Sequence, residues 1–213
     1  MIDDGSKDDS TRVIESVLRD CPFACELIAR ENRGLSATLN QALSLMDGHY
    51  FAYLGSDDMW LADFLAARVK LREVDHQLSW VTVIPTLSTR EKQGCGLYGR
   101  VGRLQRRRCA ADAFTNYRPD EFYSSCYVRK LLARHGWNTE ARLEDYELYL
   151  RLSLDGEFAF DPGVRSTWRQ HEKNASRNQA MMLDEHVSAL QRVGAIFWHS
   201  TARAGQAYQD HSV

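Results

Sequence analysis

Two adjacent carboxylates, Asp57 and Asp58, are the residues whose type and position are best suited to chemistry. They follow an apolar run at residues 49–54 that is typical of a buried strand, and a helical pattern resumes at Leu61. In open α/β sheets, ligands bind beyond the carboxyl ends of the strands. Two acids there could hold a hard divalent cation and, through it, a diphosphate. The alternative interpretation is that one of them only caps the following helix.

The elements around this acid pair alternate between strand and helix. Apolar spacing predicts helices at residues 10–19, 35–46 and 61–74, and strands at 25–29, 49–54 and 79–84. This alternation predicts an α/β fold with a mostly parallel central sheet flanked by helices.

The second half of the sequence is less regular. Residues 88–116 are rich in Gly and Arg and predict loops with short strands. Further on, the patterns predict helices at 125–134, 143–154 and 178–203, and strands at 158–160 and 164–169.

Composition indicates an ordinary globular protein. The chain has 213 residues, a net charge of -2 and 44% hydrophobic residues, enough for one core with an appendage. Its 5 cysteines are odd in number and have no zinc-site spacing, so we expect reduced thiols in a cytoplasmic protein. The apolar stretches are shorter than the ~20 residues that cross a bilayer.

Five short motifs resemble, in the same order, those of the family 2 glycosyltransferases. These are inverting, nucleotide-sugar-dependent enzymes with the GT-A (nucleotide-diphospho-sugar transferase) fold. The motifs are Asp3-Asp4-Gly5-Ser6, Glu31-Asn32-Arg33-Gly34-Leu35-Ser36 with Asn40, Ser56-Asp57-Asp58, Leu143-Glu144-Asp145, and Trp168-Arg169-Gln170-His171-Glu172-Lys173-Asn174-Ala175-Ser176.

The resemblance implies a donor site. Asp3 and Asp4 would accept hydrogen bonds from the nucleotide base and ribose, although an ordinary turn is the alternative. Asp57 would contact the nucleotide diphosphate through the Mg²⁺ or Mn²⁺ ion that it coordinates, and His171 would complete that site unless it is a surface histidine. Gly55 stands where the family has the first acid of its metal signature, so one carboxylate is missing.

The resemblance also implies a catalytic base and an acceptor side. Asp145 would take the proton of the acceptor hydroxyl, and its place at a helix N-terminus is expected to keep it ionised. Glu144 would support the acceptor side, and Trp137 could stack on a sugar ring. The alternatives are that the two acids only balance the helix dipole and that Trp137 belongs to the core.

The implied function is transfer of a sugar, with inversion, from a nucleotide-diphosphate sugar to a saccharide or lipid-linked acceptor. We expect this in cell-envelope or surface polysaccharide synthesis, in the cytoplasm or peripherally at the inner face of the membrane. The rival interpretation is a catalytically impaired or partner-dependent module, because Gly55 replaces an acid and the family's first strand-helix unit has no counterpart. An oxidoreductase is excluded, since no Gly-x-Gly-x-x-Gly follows a strand.

The implied domain organisation is a GT-A core with a helical extension. Residues 1–176 would form the core, with the nucleotide-binding part at 1–85 and the acceptor part at 86–176, and residues 177–213 the extension. The arginine run at residues 103–108 has no interleaved aromatics, so we expect no nucleic-acid partner. An N-terminally truncated sheet would leave an apolar edge at residues 25–29 and an apolar patch near Val13, Val17 and Leu39, and self-association through it is expected.

Overall fold

A computed structural model of the chain describes residues 1–74, 78–83, 86–88, 105–107, 123–161, 163, 165–169, 171–172, 174 and 177–210. Its helices are α1 (Ser10–Arg19), α2 (Leu35–Leu45), α3 (Phe64–Val74), α4 (Arg129–His135), α5 (Glu144–Asp155) and α6 (Gln179–Asp210). Its strands are β1 (Ile2–Asp3), β2 (Ile28–Ala29), β3 (Tyr50–Ala52), β4 (Met59–Trp60), β5 (Leu78–Val83), β6 (Thr86–Ser88), β7 (Gln105–Arg107), β8 (Tyr123–Val128), β9 (Glu157–Asp161) and β10 (Ser166–Arg169).

The largest sheet has five strands in the order β3-β8-β5-β9-β7. Strands β3, β5 and β9 run in one direction, as expected of a mostly parallel sheet, while β8 lies antiparallel between β3 and β5, and β7 is antiparallel to β9. The α/β class predicted from the alternating patterns is therefore confirmed, and the sheet is mixed because β8 and β7 reverse.

Strand β8 corrects a sequence prediction. Residues 125–134 were expected to be one helix, but the chain continues as a strand to Val128 and α4 begins only at Arg129. Ser125, Cys126 and Tyr127 are all buried in the middle of the sheet. A fully buried central strand has no period-2 alternation, so its short apolar pattern resembles that of a helix.

The segment after the acid pair forms a strand before its helix. Helix α3 begins at Phe64 and not at Leu61, because Met59 and Trp60 pair antiparallel with β10. The Trp60 ring stacks on Phe64 with centroids 4.3 Å apart. Asp57 and Asp58 therefore do not cap α3, which removes the alternative role considered for them. Strand β2 is also shorter than predicted, covering only residues 28–29 of 25–29.

The main core is built around α5. Its side chains are buried on nearly every face, and Leu148 and Leu150 are fully enclosed. Helix α6 contributes Ala189 and Val193 to the same core, so this part of the predicted C-terminal extension packs with the main body. A helix that is apolar all round belongs in a protein interior, and this fixes the orientation of the acids at the start of α5.

Helix α1 has the predicted bounds but no buried residue. Val13 and Val17 are exposed, as expected, whereas Leu39 of α2 is buried in the core, contrary to the expected patch. Strand β2 pairs in parallel with β1 along one edge. Within the described residues, no helix is long and apolar enough to cross a membrane. Most predictions for residues 88–116 lie outside the described residues, apart from β7.

Candidate functional site

Asp3 closes the turn that follows β1. One carboxylate oxygen accepts hydrogen bonds from the backbone N–H groups of Gly5 (3.1 Å) and Ser6 (2.8 Å), and the other accepts from the Thr11 hydroxyl (2.6 Å). The Thr11 bond, followed by those from Ser6, lowers the pKa of Asp3 to about 2. Because Asp3 is buried and hydrogen-bonded to the protein through both oxygens, it shapes the turn. Its contact with a nucleotide stays a prediction.

Asp4 connects this turn to the start of α2. Its carboxylate accepts hydrogen bonds from the backbone N–H groups of Arg33 (2.9 Å) and Gly34 (2.8 Å) and pairs with the Arg30 guanidinium. Burial opposes ionisation of Asp4, but the hydrogen bonds and the Arg30 charge lower its pKa overall. Gly34 has a φ of 87°, a backbone conformation that favours glycine. The Asp4 side chain stays 20% exposed, which leaves it the more accessible of the two acids.

Asp57 and His171 meet although they lie far apart in the sequence. The Asp57 Oδ2 atom is 3.0 Å from His171 Nε2 across a separation of 114 residues. Asp57 follows β3 and His171 follows β10, so two separate strand ends deliver the pair. Both side chains remain partly exposed. The structure therefore brings together the two residues that the sequence predicted as metal ligands.

Asp58 lies in a turn and not on a strand. Its backbone N–H donates to the Gly55 carbonyl (3.3 Å), and its carboxylate accepts from the backbone N–H of Arg169 (3.0 Å). A Cβ atom built on Gly55 would lie 3.1 Å from Asp57 Oδ1 and 3.6 Å from Asp58 Oδ2. Adjacent residues of a strand point to opposite faces, but this turn directs both carboxylates towards position 55. Burial, with the Asp57 charge, raises the pKa of Asp58.

Glu144 and Asp145 begin α5, as predicted, and burial raises the pKa of both. For Asp145, burial acts against a 2.7 Å hydrogen bond from the Tyr146 N–H and the His186 charge. Burial and then the Asp145 charge raise the pKa of Glu144 to about 8. For Asp145, burial therefore opposes the stabilisation of the anion that is expected from the helix N-terminus. A helix dipole supplies about 0.3–1 kcal/mol, whereas burial can shift a pKa by about 3–5 units at about 1.4 kcal/mol each.

A buried tyrosine connects the two groups of acids. Tyr53 follows β3, and burial raises its pKa well above the ordinary range, with further contributions from Tyr127 and from the charges of Asp145, Glu144 and Asp58. Acids from the strand-end turn and from the start of α5 therefore act on the same phenol.

Trp137 belongs to the core, so the prediction of a sugar-stacking aromatic is corrected. Its side chain is 3% exposed and is enclosed by the rings of Phe51, Tyr53 and Tyr127, with centroids 5.5, 6.1 and 6.2 Å away. Asn40 fixes its backbone twice, accepting from the Trp137 N–H (2.8 Å) and donating to its carbonyl (2.8 Å). The sequence was compatible with a sugar-stacking role or a core position for Trp137, and its apolar surroundings show that it belongs to the core.

A buried ion network behind the acids was not predicted. Glu147 is 4% exposed and accepts hydrogen bonds from Asn138 (3.0 Å) and from Arg192 of α6 (2.7 Å). Arg192 also pairs with the buried Glu185. No local signal in the sequence marks Glu147, because the same helix also carries Glu144, Asp145, Arg151 and Asp155. The network attaches α6 to the helix that carries Glu144 and Asp145.

Known proteins resemble this chain in sequence and in fold. Residues 1–92 match the model of "Glycosyl transferase family 2". Chondroitin synthase of Escherichia coli is 27% identical over 165 residues, which are 73% of this chain and 22% of that protein. TarS 1–349 of S. aureus, solved with UDP-GlcNAc, superposes with a TM-score of 0.62 at 14% identity over 83% of this chain and 50% of that one. The mannosyltransferase PcManGT of Pyrobaculum calidifontis, solved with GDP-Man and Mn²⁺, superposes with a TM-score of 0.66 at 20% identity. The superposition covers 90% of this chain and 54% of that one.

These similarities agree with the five motifs and with the arrangement of strands and acids. Residues 1–92 are similar to glycosyltransferase family 2, and the chain has the GT-A fold. It spans about a fifth of the length of the curated relative and about half of the two solved structures.

A divalent cation fits the donor set in part. Asp57 and His171 supply an oxygen and a nitrogen 3.0 Å apart, and carboxylate oxygens of Asp57 and Asp58 lie close to Gly55, which has no side chain. In the part of the chain that the structure describes, no three His, Cys, Asp or Glu side chains converge to hold a metal by themselves. Mg²⁺ is often bound by one or two protein ligands together with substrate phosphates. The site therefore suits a cation shared with a diphosphate.

Proposed function

We propose that this chain transfers a sugar from a nucleoside-diphosphate sugar to an acceptor hydroxyl, with inversion at the anomeric carbon. The observation that carries the proposal is the meeting of Asp57 and His171, 3.0 Å apart after two separate strands, in a chain with the GT-A fold. Relatives of the same fold bind UDP-GlcNAc in one case and GDP-Man with Mn²⁺ in another. The leaving group of the reaction is then a nucleoside diphosphate.

Asp57 and His171 would hold a Mg²⁺ or Mn²⁺ ion, which when bound supplies positive charge to the departing diphosphate. Asp4, the more exposed of the two acids after β1, is the one we assign to the nucleotide, with Asp3 fixing the turn that positions it. His171 follows β10, which the Asp58 carboxylate attaches to the acid turn. These contacts hold the donor side in place before a substrate binds.

Asp145 is the proposed base, and Glu144 acts beside it on the acceptor side. The Oδ1 atom of Asp145 already accepts from the Tyr146 N–H, so Oδ2 is the atom that takes the proton of the acceptor hydroxyl. The raised pKa strengthens Asp145 as a base, since a base works best when its pKa lies near the operating pH. As Oδ2 takes the proton, the acceptor oxygen would bond to the anomeric carbon on the face opposite the diphosphate, the bond from that carbon to the diphosphate oxygen would break, and the configuration would invert.

We further propose a role in cell-envelope or surface polysaccharide synthesis, on a saccharide or lipid-linked acceptor, in the cytoplasm at the inner face of the membrane. The similarity to a chondroitin synthase supports a polysaccharide product. Hydrolysis and transfer from UDP-GlcNAc, UDP-GalNAc and GDP-Man with Mn²⁺ would be measured by release of the nucleoside diphosphate. Turnover with one donor, abolished by Asp145→Asn, is expected.

A second candidate is a donor-binding module without turnover, and Gly55 favours it because the site has one carboxylate fewer than the family signature. Isothermal calorimetry with the same nucleotide sugars separates the two. Binding of a nucleotide sugar without any release of diphosphate, under every donor and metal, would support the non-catalytic module. Absence of binding would contradict both.

A further inference from the structure

A cavity lies at the end of the sheet opposite to the acid pair, next to the start of β3. Its volume is about 620 Å³, and it is lined in part by Gly48, His49 and Tyr50 at the start of β3 and by Arg129 at the end of β8. The acid turn follows the carboxyl end of β3, so the start of that strand opens on the opposite edge. Because β8 is antiparallel to β3, Tyr50 pairs with Val128 there.

The charged side chains among the described lining residues of this cavity are all basic. Arg72, Arg129 and Lys130 line it together with His49, and none of the described lining residues is an acid. Asp47 and Glu73 adjoin lining residues in the sequence but are not among them. Neither Arg129 nor Lys130 forms an ion pair with a described carboxylate. Arg129 and Lys130 are adjacent on this concave surface, and a bound anion relieves the repulsion between their charges.

One of these cations is held in place. The Arg129 Nε–H donates to the Gly48 carbonyl at 2.7 Å, and its backbone N–H donates to the His49 carbonyl at 3.0 Å. The guanidinium is therefore positioned at the cavity before a ligand arrives, with both Nη groups left to donate. A planar guanidinium matches the oxygen spacing of a phosphate, and charged hydrogen bonds of this kind are the strong ones.

We infer that this cavity binds a phosphate-bearing ligand, independently of the donor site and of the proposed function. Its volume lies in the range of small-molecule sites, about 300–1,000 Å³. A soluble phosphate compound and the headgroup of an anionic lipid share the required chemistry.

The test measures pyrophosphate binding to the full chain by calorimetry, with EDTA present so that no divalent cation recruits pyrophosphate to the donor site. Lys130→Glu and Arg129→Gln are each expected to weaken binding about tenfold or more, because each removes a cation that lines the cavity. Lys70→Glu changes the charge of an exposed residue of α3 outside the cavity and is the matched control, expected to stay within about twofold. Thermal unfolding shows that each variant is folded.

A parallel measurement uses sedimentation with vesicles of phosphatidylcholine alone or with phosphatidic acid. Binding only to the phosphatidic-acid vesicles, lost in Lys130→Glu and not in Lys70→Glu, assigns the cavity to a lipid headgroup. Binding of pyrophosphate without vesicle binding assigns it to a soluble phosphate. The inference is overturned if neither probe binds, or if the cavity variants bind both probes as tightly as Lys70→Glu does.

Discussion

The Oδ2 atom of Asp57 lies 3.0 Å from Nε2 of His171, so the segments that follow β3 and β10 meet at one pair of candidate metal ligands. The pair supplies two ligands, and position 55 beside it carries no side chain. A cation held there must take its remaining ligands from elsewhere, and a diphosphate has the right oxygens. Metal and nucleotide should therefore bind cooperatively.

Gly55→Asp is expected to strengthen Mn²⁺-dependent binding of a nucleoside diphosphate. A Cβ at this position lies 3.1 Å from Asp57 Oδ1, so the new carboxylate joins the existing pair. Without the cation, three clustered acids repel, and the variant should unfold at a lower temperature than the parent. Calorimetry of UDP and GDP with and without Mn²⁺ measures the effect. Gly55→Asn is the neutral control of equal size, and equal binding by both variants would contradict the metal assignment.

Asp145→Asn is expected to reduce transfer by about 10²–10⁴-fold while leaving donor affinity unchanged, because an amide cannot accept the proton. The rate of diphosphate release and the calorimetric affinity for the donor give the two values. Asp155→Asn, at the far end of the same helix, is the control for loss of a carboxylate from α5. Retention of most of the turnover in Asp145→Asn would show that another group is the base.

Local sequence patterns predicted the parts of the fold that local interactions decide. The bounds of α1 and the start of α5 agree with the sequence because each depends on a periodic apolar face and a polar boundary. The failures involve partners distant in the chain. Residues 59–60 pair with Ser166 and Thr167, over a hundred positions away, and because of that pairing α3 begins only at Phe64.

The candidate site shows the same contrast between features that depend on local sequence and features that depend on distant parts of the chain. The acids at 57 and 145 could be found from their positions after a strand and at the start of a helix. The raised pKa of Asp145 could not be predicted, because it depends on burial by elements distant in the chain. The buried pair of Glu147 and Arg192 was missed for a related reason. Nothing local distinguishes a buried ion pair from two solvated charges.

Glu144 makes the stability of the protein depend on pH. Its pKa is raised from 4.5 to about 8 in the folded state, mainly by burial. The folded protein thus holds this proton more tightly than the unfolded chain. The stabilisation from Glu144 is fully present below its unfolded pKa and is lost as the pH rises through its folded pKa.

Glu144→Gln removes this dependence. Urea unfolding would be measured at about pH 5, 6.5 and 8.5. Between the unfolded and folded pKa values of Glu144, the free energy of unfolding of the parent should fall more steeply with rising pH than that of the variant. Glu140→Gln, at an exposed acid just before α5, should follow the parent. Parallel curves for the parent and Glu144→Gln would mean that Glu144 is ionised in the folded protein throughout.

Asn40→Ala is expected to lower the free energy of unfolding by about 1–3 kcal/mol, since it leaves the N–H and carbonyl of Trp137 without their partner. Chemical denaturation at fixed pH measures the change. Ser44→Ala, one turn further along α2 at an exposed position, should change it by less than about 0.5 kcal/mol. A loss in Asn40→Ala no larger than in Ser44→Ala would show that these two hydrogen bonds contribute little.

The apolar face of α1 predicts self-association. Val13 and Val17 lie one turn apart with 55% and 63% of their surface exposed, and the helix has no buried residue. Adjacent exposed apolar side chains on one face favour contact with another chain over contact with water. Light scattering coupled to gel filtration, over a range of protein concentrations, should show a mass that rises with concentration.

Replacing both valines with glutamate should remove that rise, because two charges on each copy then repel across the contact. Ser16→Glu adds charge to the polar face of the same helix and should leave the association in place. The β1–β2 ladder and the core of α2 do not include these valines, so the double variant should retain its circular dichroism spectrum. A chain that is monomeric at every concentration, or whose association survives the double substitution, would assign no role to this face.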